Sequence, residues 1–165
     1  MTMQGKPDAE TVPVTLRVNG QDRALEIDPR FTLADVLRDQ LRLTGLHLGC
    51  EQGVCGACMV DIDGQPALSC MILAVEAQNA EVRTIEAVSK QDGELGRLER
   101  AFIEQGAFQC GFCTPGFLTI GHHIIDNGLA TSAERVRELL SGNVCRCTGY
   151  EPIVQAIMSI AQEES

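Results

Sequence analysis

Eight cysteines fall into two quartets, and their spacing limits what this 165-residue chain can become more than any other feature. The first quartet is Cys50-x4-Cys55-x2-Cys58, with Cys70 after eleven intervening residues. The second is Cys110-x2-Cys113 and, after thirty-one intervening residues, Cys145-x-Cys147. Met1 to Glu10 is polar and shows neither an apolar leader core nor a twin-arginine pair, so the expected compartment is the cytoplasm. That compartment keeps thiols reduced. Eight cysteines there read as metal ligands rather than as disulfides.

The run C-x4-C-x2-C is the signature of plant-type [2Fe–2S] binding. Three thiolates must come from one loop that wraps the cluster, so the backbone has to come close and turn sharply. Gly49, Gly53 and Gly56 remove the Cβ atoms that would obstruct it and allow left-handed φ. Main-chain N–H groups can then face the sulfurs and stabilise negative charge. Cys70 is the expected fourth ligand. The second quartet also fits a four-cysteine zinc site, but zinc pairs usually leave two to four residues between cysteines, and Cys145-x-Cys147 leaves one. Both pairs precede helix openings, at Cys113-Thr114-Pro115-Gly116 and at Cys147-Thr148-Gly149-Tyr150-Glu151-Pro152. The partial positive charge and free N–H groups of helix N-termini favour an anionic cluster between them. Spacing alone therefore ranks [2Fe–2S] ahead of zinc at the second site and leaves zinc open.

The intervening sequence divides in two. Val14, Leu16 and Val18 alternate with Thr15 and Arg17, Asn19-Gly20 signals a tight turn, and Ala24 to Ile27 resume the strand, which predicts a hairpin. Thr32 is the expected N-cap of a helix carrying Leu33, Val36, Leu37 and Leu41. A second hairpin is expected over Met59 to Cys70, turning at Asp63-Gly64, and a further strand from Val75 to Ile85. From Gly93 the pattern is helical. Leu95, Leu98, Phe102 and Ile103 form one apolar stripe, and Pro115 opens a helix that Asn127-Gly128 closes. Thr131-x-x-Glu134 reads as a capping box before Val136, Leu139 and Leu140, with Gly142 ending the turn, and Pro152 opens a last helix with Ile153, Val154, Ile157 and Ile160. The expected fold is α+β: a strand-rich domain over 12–89 and an all-α four-helix bundle over 90–165, joined at the polar link Ser89 to Gly93. Each half is small for a self-sufficient core and needs a staple. Four cysteines apiece supply one.

Composition excludes other classes. A net charge of −10 with no Trp is unsuited to nucleic acid, which requires clustered Lys and Arg, and reads first as solubility, second as docking to a basic partner. No run approaches the 18 apolar residues of a membrane span. There is no phosphate-binding glycine loop and no Gly-x-Ser-x-Gly elbow. His47, His122 and His123 have no vacancy to fill with both quartets complete, and one of the His122-His123 pair is expected to face the helices and the other solvent. Phe108, Phe112 and Phe117 are expected to fill the core and shield the second site, Met59 and Met71 to pack, and Arg146 either to offset thiolate charge or to remain solvated.

The stretches Gly49-Cys50-Glu51-Gln52-Gly53-Val54-Cys55-Gly56-Ala57-Cys58, Gln109-Cys110-Gly111-Phe112-Cys113-Thr114-Pro115-Gly116 and Cys145-Arg146-Cys147-Thr148-Gly149-Tyr150 closely resemble the iron–sulfur subunit of the xanthine oxidase, or molybdenum hydroxylase, family. The resemblance runs from about Val14 to Ile160. It implies a plant-type ferredoxin domain of β-grasp fold, then a helical bundle with a second [2Fe–2S] cluster near a molybdopterin-binding large subunit, and commonly an FAD-binding medium subunit. It implies that electrons pass from molybdenum to the C-terminal cluster, to the N-terminal cluster, and on to flavin. The position of Cys147 is then a cluster ligand lying against the pterin, and that of Gln109 contacts the pterin edge. It implies no substrate chemistry on this chain. Two other readings compete: a free-standing ferredoxin-like carrier and a zinc-stabilised interaction module.

Overall fold

The structure is a computed structural model and describes residues 10–88, 90–91 and 94–163. The first hairpin forms as its turn signal demands. β1 (Val12–Val18) pairs antiparallel with β2 (Gln21–Ile27), and Asn19 and Gly20 both take left-handed φ, at 52° and 73°. Alternation then sets the buried face: Val14, Leu16 and Val18 point inward while Pro13, Thr15 and Arg17 face water. Thr32 caps α1 (Leu33–Asp35) as expected. Its hydroxyl accepts Asp35 N–H at 3.2 Å, and the Asp35 carboxylate accepts Thr32 N–H at 2.9 Å. The helix runs on as a π-helical turn over Val36–Gln40.

β3 (Met59–Ile62) and β4 (Gln65–Leu68) form the second hairpin, which ends before Cys70; that cysteine sits on a 3-10 turn, Ser69–Met71. The strand expected from Val75 to Ile85 is cut down. A 3-10 turn takes Ala74–Ala77, β5 covers only Glu81–Arg83, and Ile85–Val88 is a short helix, α2. Alternation of apolar residues there reflects the turn's packing of Ala74 and Ala77 into the core rather than an extended strand. The five strands lie in the order β2-β1-β5-β3-β4, antiparallel except for β1 beside β5. Leu16, Ile27, Leu33, Val36, Leu37, Val60 and Val82 close the core beneath them.

Of the expected boundary link, Ser89, Asp92 and Gly93 lie outside the described residues; Lys90–Gln91 (β6) pairs with Glu94–Leu95 (β7). Beyond it come α3 (Arg97–Glu104), α4 (Thr114–Asp126), α5 (Ala133–Leu139) and α6 (Glu151–Glu163). Pro115 stands in the first turn of α4, and Gly128, at φ 63°, follows its end. Ser132, not Thr131, caps α5 by accepting Arg135 N–H at 3.2 Å. Leu98 and Phe102 enter the second core with Phe117, Ile124, Val136, Ile153 and Ile157. Leu95 and Ile103 of the expected stripe stay about half exposed, at 50% and 53%: Leu95 precedes the helix on β7, and the buried face of α3 is made by Leu98, Glu99, Ala101 and Phe102.

The two halves meet closely: α4 lies against β3, β4 and α2. The approach is tightest at Gly116, where an added Cβ would stand 2.3 Å from the Gly56 carbonyl oxygen. Only a residue without a side chain fits between that backbone and α4. Alanine normally favours a helix over glycine by about 1 kcal/mol. Gly116→Ala is nevertheless expected to lose about 1–3 kcal/mol and lower the melting temperature, by overpacking the junction. Gly142→Ala, which meets nothing within 4 Å, is expected to melt with the unmodified chain, within about 0.5 kcal/mol. Equal melting of both variants would contradict this packing.

Candidate metal centres

The first cysteine loop is held from both sides. Arg38, on the π-helical turn, donates to the carbonyl of Thr44 at 3.1 Å and to that of Leu46, and Glu86 accepts Gly45 N–H at 2.8 Å. Leu46 is buried and plugs the loop's entry into the core. The loop then winds so that the N–H groups of Gln52, Val54 and Cys55 each reach Cys50 Sγ at 3.4 Å. Three donors stabilise the thiolate, led by Gln52, and bring Cys50 down to about 7. Cys58 is buried, and loss of hydration pushes its thiol up to about 11. Ser69 fixes the far end: its buried hydroxyl donates to the Cys58 carbonyl at 2.7 Å, which sets Cys70 beside Cys58.

The second quartet brings together residues from a helix start and a loop. Cys113 is the N-cap residue of α4, and burial, followed by the neighbouring Cys145 sulfur, pushes it up to about 12. For Cys145 burial is the largest influence and opposes ionisation, but hydrogen bonds from Thr148, the Cys147 N–H and Cys113 together hold the thiol below its ordinary range. Thr148 reaches Cys145 Sγ through Oγ1 at 3.1 Å and through its N–H at 3.5 Å. Cys147 Sγ lies 3.6 Å from Cys110 Sγ, and that contact raises Cys147.

In each quartet the four sulfurs gather: Cys50 lies beside Cys55, Cys58 beside Cys70 and Cys55, Cys113 beside Cys145 and Cys110, and Cys147 beside Cys110 and Cys145. A single zinc ion, about 2.3 Å from four thiolates, would set every pair of sulfurs about 3.8 Å apart. Among the described residues no three His, Cys, Asp or Glu side chains converge on one ion's position. Four gathered thiols without one shared ion position suit two irons joined by inorganic sulfide. Thr114 adds to the fit: its hydroxyl, directly after Cys113, is buried and bonds to nothing in the described protein, as a donor awaiting a sulfide would be.

The other expected residues separate. Gln109 and Cys110 are exposed and Cys147 is half-buried, so the second quartet opens on one side. Phe108 shares that open side, at 42% exposed, and does not enter the core. Phe117 is core, edge-on to Tyr150 with ring centres 6.2 Å apart. Phe112 does neither: its ring stacks on His47 at 4.8 Å, and its carbonyl bonds His47 Nδ1 at 2.7 Å. Met59 packs on the helical core, Met71 stays exposed against Gly53, and Arg146 is exposed. His122 turns to buried Glu99 at 2.9 Å, whereas half-buried His123 turns to Asn127 at its helix end.

Sequence reading missed the contacts that bind the two sites. Val144 N–H donates to the Cys55 carbonyl at 2.9 Å, and Asn143 Nδ2 donates to the Gly56 carbonyl at 3.2 Å. These partners stand 87 and more residues apart, and no local pattern links them. The roles of Thr148 and Ser69 were also missed. For Thr148 a signal existed, since a threonine follows a cysteine in both Cys113-Thr114 and Cys147-Thr148.

A ferredoxin-like sheet domain and a helical domain, each with a gathered quartet of thiols, define a two-centre electron-transfer protein. The comparisons agree. Residues 16–88 match the 2Fe-2S iron-sulfur cluster binding domain, and residues 84–158 match the [2Fe-2S] binding domain. The chain is 51% identical over 151 residues to caffeine dehydrogenase subunit gamma of Pseudomonas sp. strain CBB1, covering 90% of each. It is 45% identical to the nicotine 6-hydroxylase small subunit of Paenarthrobacter nicotinovorans, covering 91% of this chain and 90% of the relative. A chain in the crystal structure of quinoline 2-oxidoreductase from Pseudomonas putida 86 superimposes with a TM-score of 0.88 at 43% identity, covering 93% of this chain and 95% of that one. The chain belongs to the iron–sulfur small subunits of the molybdenum hydroxylase family, and it is a two-[2Fe–2S] electron-transfer subunit of a heteromeric oxidoreductase. This sets aside the free-standing carrier and the zinc module. Among the described residues no helix is long and apolar enough to cross a membrane.

The thiols should differ in reactivity before metal is loaded. In cluster-free protein at pH 7.5, iodoacetamide is expected to alkylate Cys50 well ahead of Cys58 and Cys113, since of these three only Cys50, at about 7, is largely thiolate there. Lowering the pH through 7 protonates Cys50 and removes its lead. Peptide mass spectrometry reads each site, and equal rates at pH 7.5 would contradict the N–H fan at Cys50.

Proposed function

We propose that Cys50, Cys55, Cys58 and Cys70 hold one [2Fe–2S] cluster and Cys110, Cys113, Cys145 and Cys147 the other, in domains dividing at 12–89 and 90–165. The gathering of each quartet's thiols carries this reading: Cys50, Cys55, Cys58 and Cys70 would hold the two irons of the first cluster, and Cys110, Cys113, Cys145 and Cys147 those of the second. A β-grasp topology for the first half fits its five-stranded sheet with α1 across one face, and a four-helix bundle for the second fits α3 to α6. Each cluster supplies one-electron chemistry; everything else falls to the chain. The thiolates bind, burial of Cys58 and Cys145 excludes water, and the Val144–Cys55 hydrogen bond gives a short covalent and hydrogen-bonded route between ligands of the two sites.

The open side at Gln109, Cys110 and Cys147, with exposed Phe108 beside it, is where a molybdopterin-binding large subunit would dock, with Gln109 and Cys147 against the pterin. The first site, bordered by exposed Val54 and Met71, would face an FAD-binding medium subunit. Electrons then run from molybdenum through the helical half to the sheet half and on to flavin. Substrate chemistry belongs to the large subunit. Eight free thiols support a cytoplasmic placement.

Metal analysis is expected to return four irons and no zinc per chain, with two distinct paramagnetic signals on reduction; two irons and one zinc would refute the second assignment. In the assembled enzyme, Cys70→Ser is expected to leave substrate able to reduce the second centre while flavin reduction slows at least tenfold in rapid-mixing spectroscopy. Flavin reduced at the normal rate without the first cluster would overturn the relay order.

A further inference from the structure

The loop from Cys145 to Tyr150 closes on itself through three hydrogen bonds. Cys145 N–H donates to the Tyr150 hydroxyl at 3.0 Å, Tyr150 N–H donates to Thr148 Oγ1 at 3.2 Å, and Thr148 Oγ1 donates to Cys145 Sγ at 3.1 Å. The ring fixes the direction of its last bond. A threonine hydroxyl has one proton and two lone pairs. Tyr150 N–H occupies a lone pair, so the proton is left for the sulfur, and a donor feeding the oxygen strengthens the donation onward. The backbone bends at this loop: Tyr150, which carries a full side chain, sits at φ 70°, a conformation that persists only where its surroundings hold it.

The device is one-sided. Among the described residues Thr148 is the one hydroxyl bonded to a cysteine sulfur. Its counterpart after Cys113, Thr114, makes no protein hydrogen bond, and Cys110 and Cys147 contact each other rather than a hydroxyl. The favoured sulfur also stands at a particular end of the site. Cys145 adjoins Val144, whose N–H reaches the Cys55 carbonyl at 2.9 Å, whereas Cys110 lies on the exposed side.

We propose that Thr148 is a tuning residue that gives the second site its polarity: its hydroxyl stabilises negative charge on Cys145, raises the reduction potential there, and draws the charge of an incoming electron toward the Cys113–Cys145 end, which faces the first site. The proposal rests on the [2Fe–2S] reading of the second quartet. One electron enters from a reduced donor and the same electron leaves toward the first site. The Thr148 proton stays on its oxygen throughout, so no proton is exchanged. A donor to thiolate sulfur favours the more electron-rich state, and a hydrogen bond to a charged group is worth enough to matter on this scale.

The test uses the assembled enzyme with Thr148→Val, which keeps shape and removes the hydroxyl, and Thr148→Ser, which keeps the hydroxyl. Thr148→Ala supplies the same comparison should the valine variant take up too little iron. Iron content is measured first, then the midpoint potential of each centre in a dithionite titration followed by paramagnetic resonance. All proteins are expected to hold four irons. Thr148→Val is expected to lower the second centre's reduction equilibrium roughly tenfold, about 59 mV for one electron, and to alter the g-anisotropy of its signal. Thr148→Ser should restore both, and the first centre should not move. Four irons with an unshifted second potential in the valine and alanine variants would overturn the proposal alone. Two irons and a zinc in the unmodified protein would overturn the cluster reading beneath it.

Discussion

The hydrogen bond from Val144 to the Cys55 carbonyl, with Asn143 on the next carbonyl, joins the two halves through their own cysteine loops. Most domain junctions rest on side chains that can slide. This one is made at and beside cysteines of both quartets, so any shift between the halves moves a proposed ligand. Gly56 and Gly116 let the strands of chain come that close, and the stack of His47 on Phe112 closes the other flank. Distance governs electron transfer, and here distance is set by main chain. The clusters therefore hold a fixed separation without either domain being large.

Ligation also explains how each half stands. Two of the thiols proposed as ligands are poor anions in the bare protein: Cys58 and Cys113 lie well above their ordinary range because they are desolvated. On the proposed ligation iron takes protons off these sulfurs as it binds, so folding, burial and metal uptake are coupled. The sites differ in how they meet the charge. The first relies on main-chain N–H groups converging on Cys50, and the second on a side-chain hydroxyl at Cys145. Dissimilar donors around similar clusters are a simple way to separate two potentials.

What could be read from sequence was what is local. Asn19-Gly20, the Thr32 cap, Pro115 and Asn127-Gly128 each act within a few residues, and each stands where its chemistry placed it. The cysteine spacing carried the identity of the sites for the same reason. Close competitors within one stretch were misjudged: Ser132 took the cap from Thr131, and the apolar run after Val75 folded as a turn before a three-residue strand. The junction was invisible because Cys55 and Val144, or His47 and Phe112, are paired only by the tertiary fold. Phe112 shows the cost of reading composition near a site, since its neighbourhood to the cysteines said nothing of its partner across the seam.

A rigid, backbone-made junction between two one-electron centres has a magnetic consequence that can be read directly. Low-temperature paramagnetic resonance of the fully reduced protein is expected to show each signal split by the other centre's spin, with the splitting absent when only one centre is reduced. The splitting should be uniform across the sample, because one seam geometry gives one separation. Two unsplit, independent signals at full reduction, or a splitting smeared over many values, would contradict the claim that the Cys55–Val144 junction fixes the two centres together.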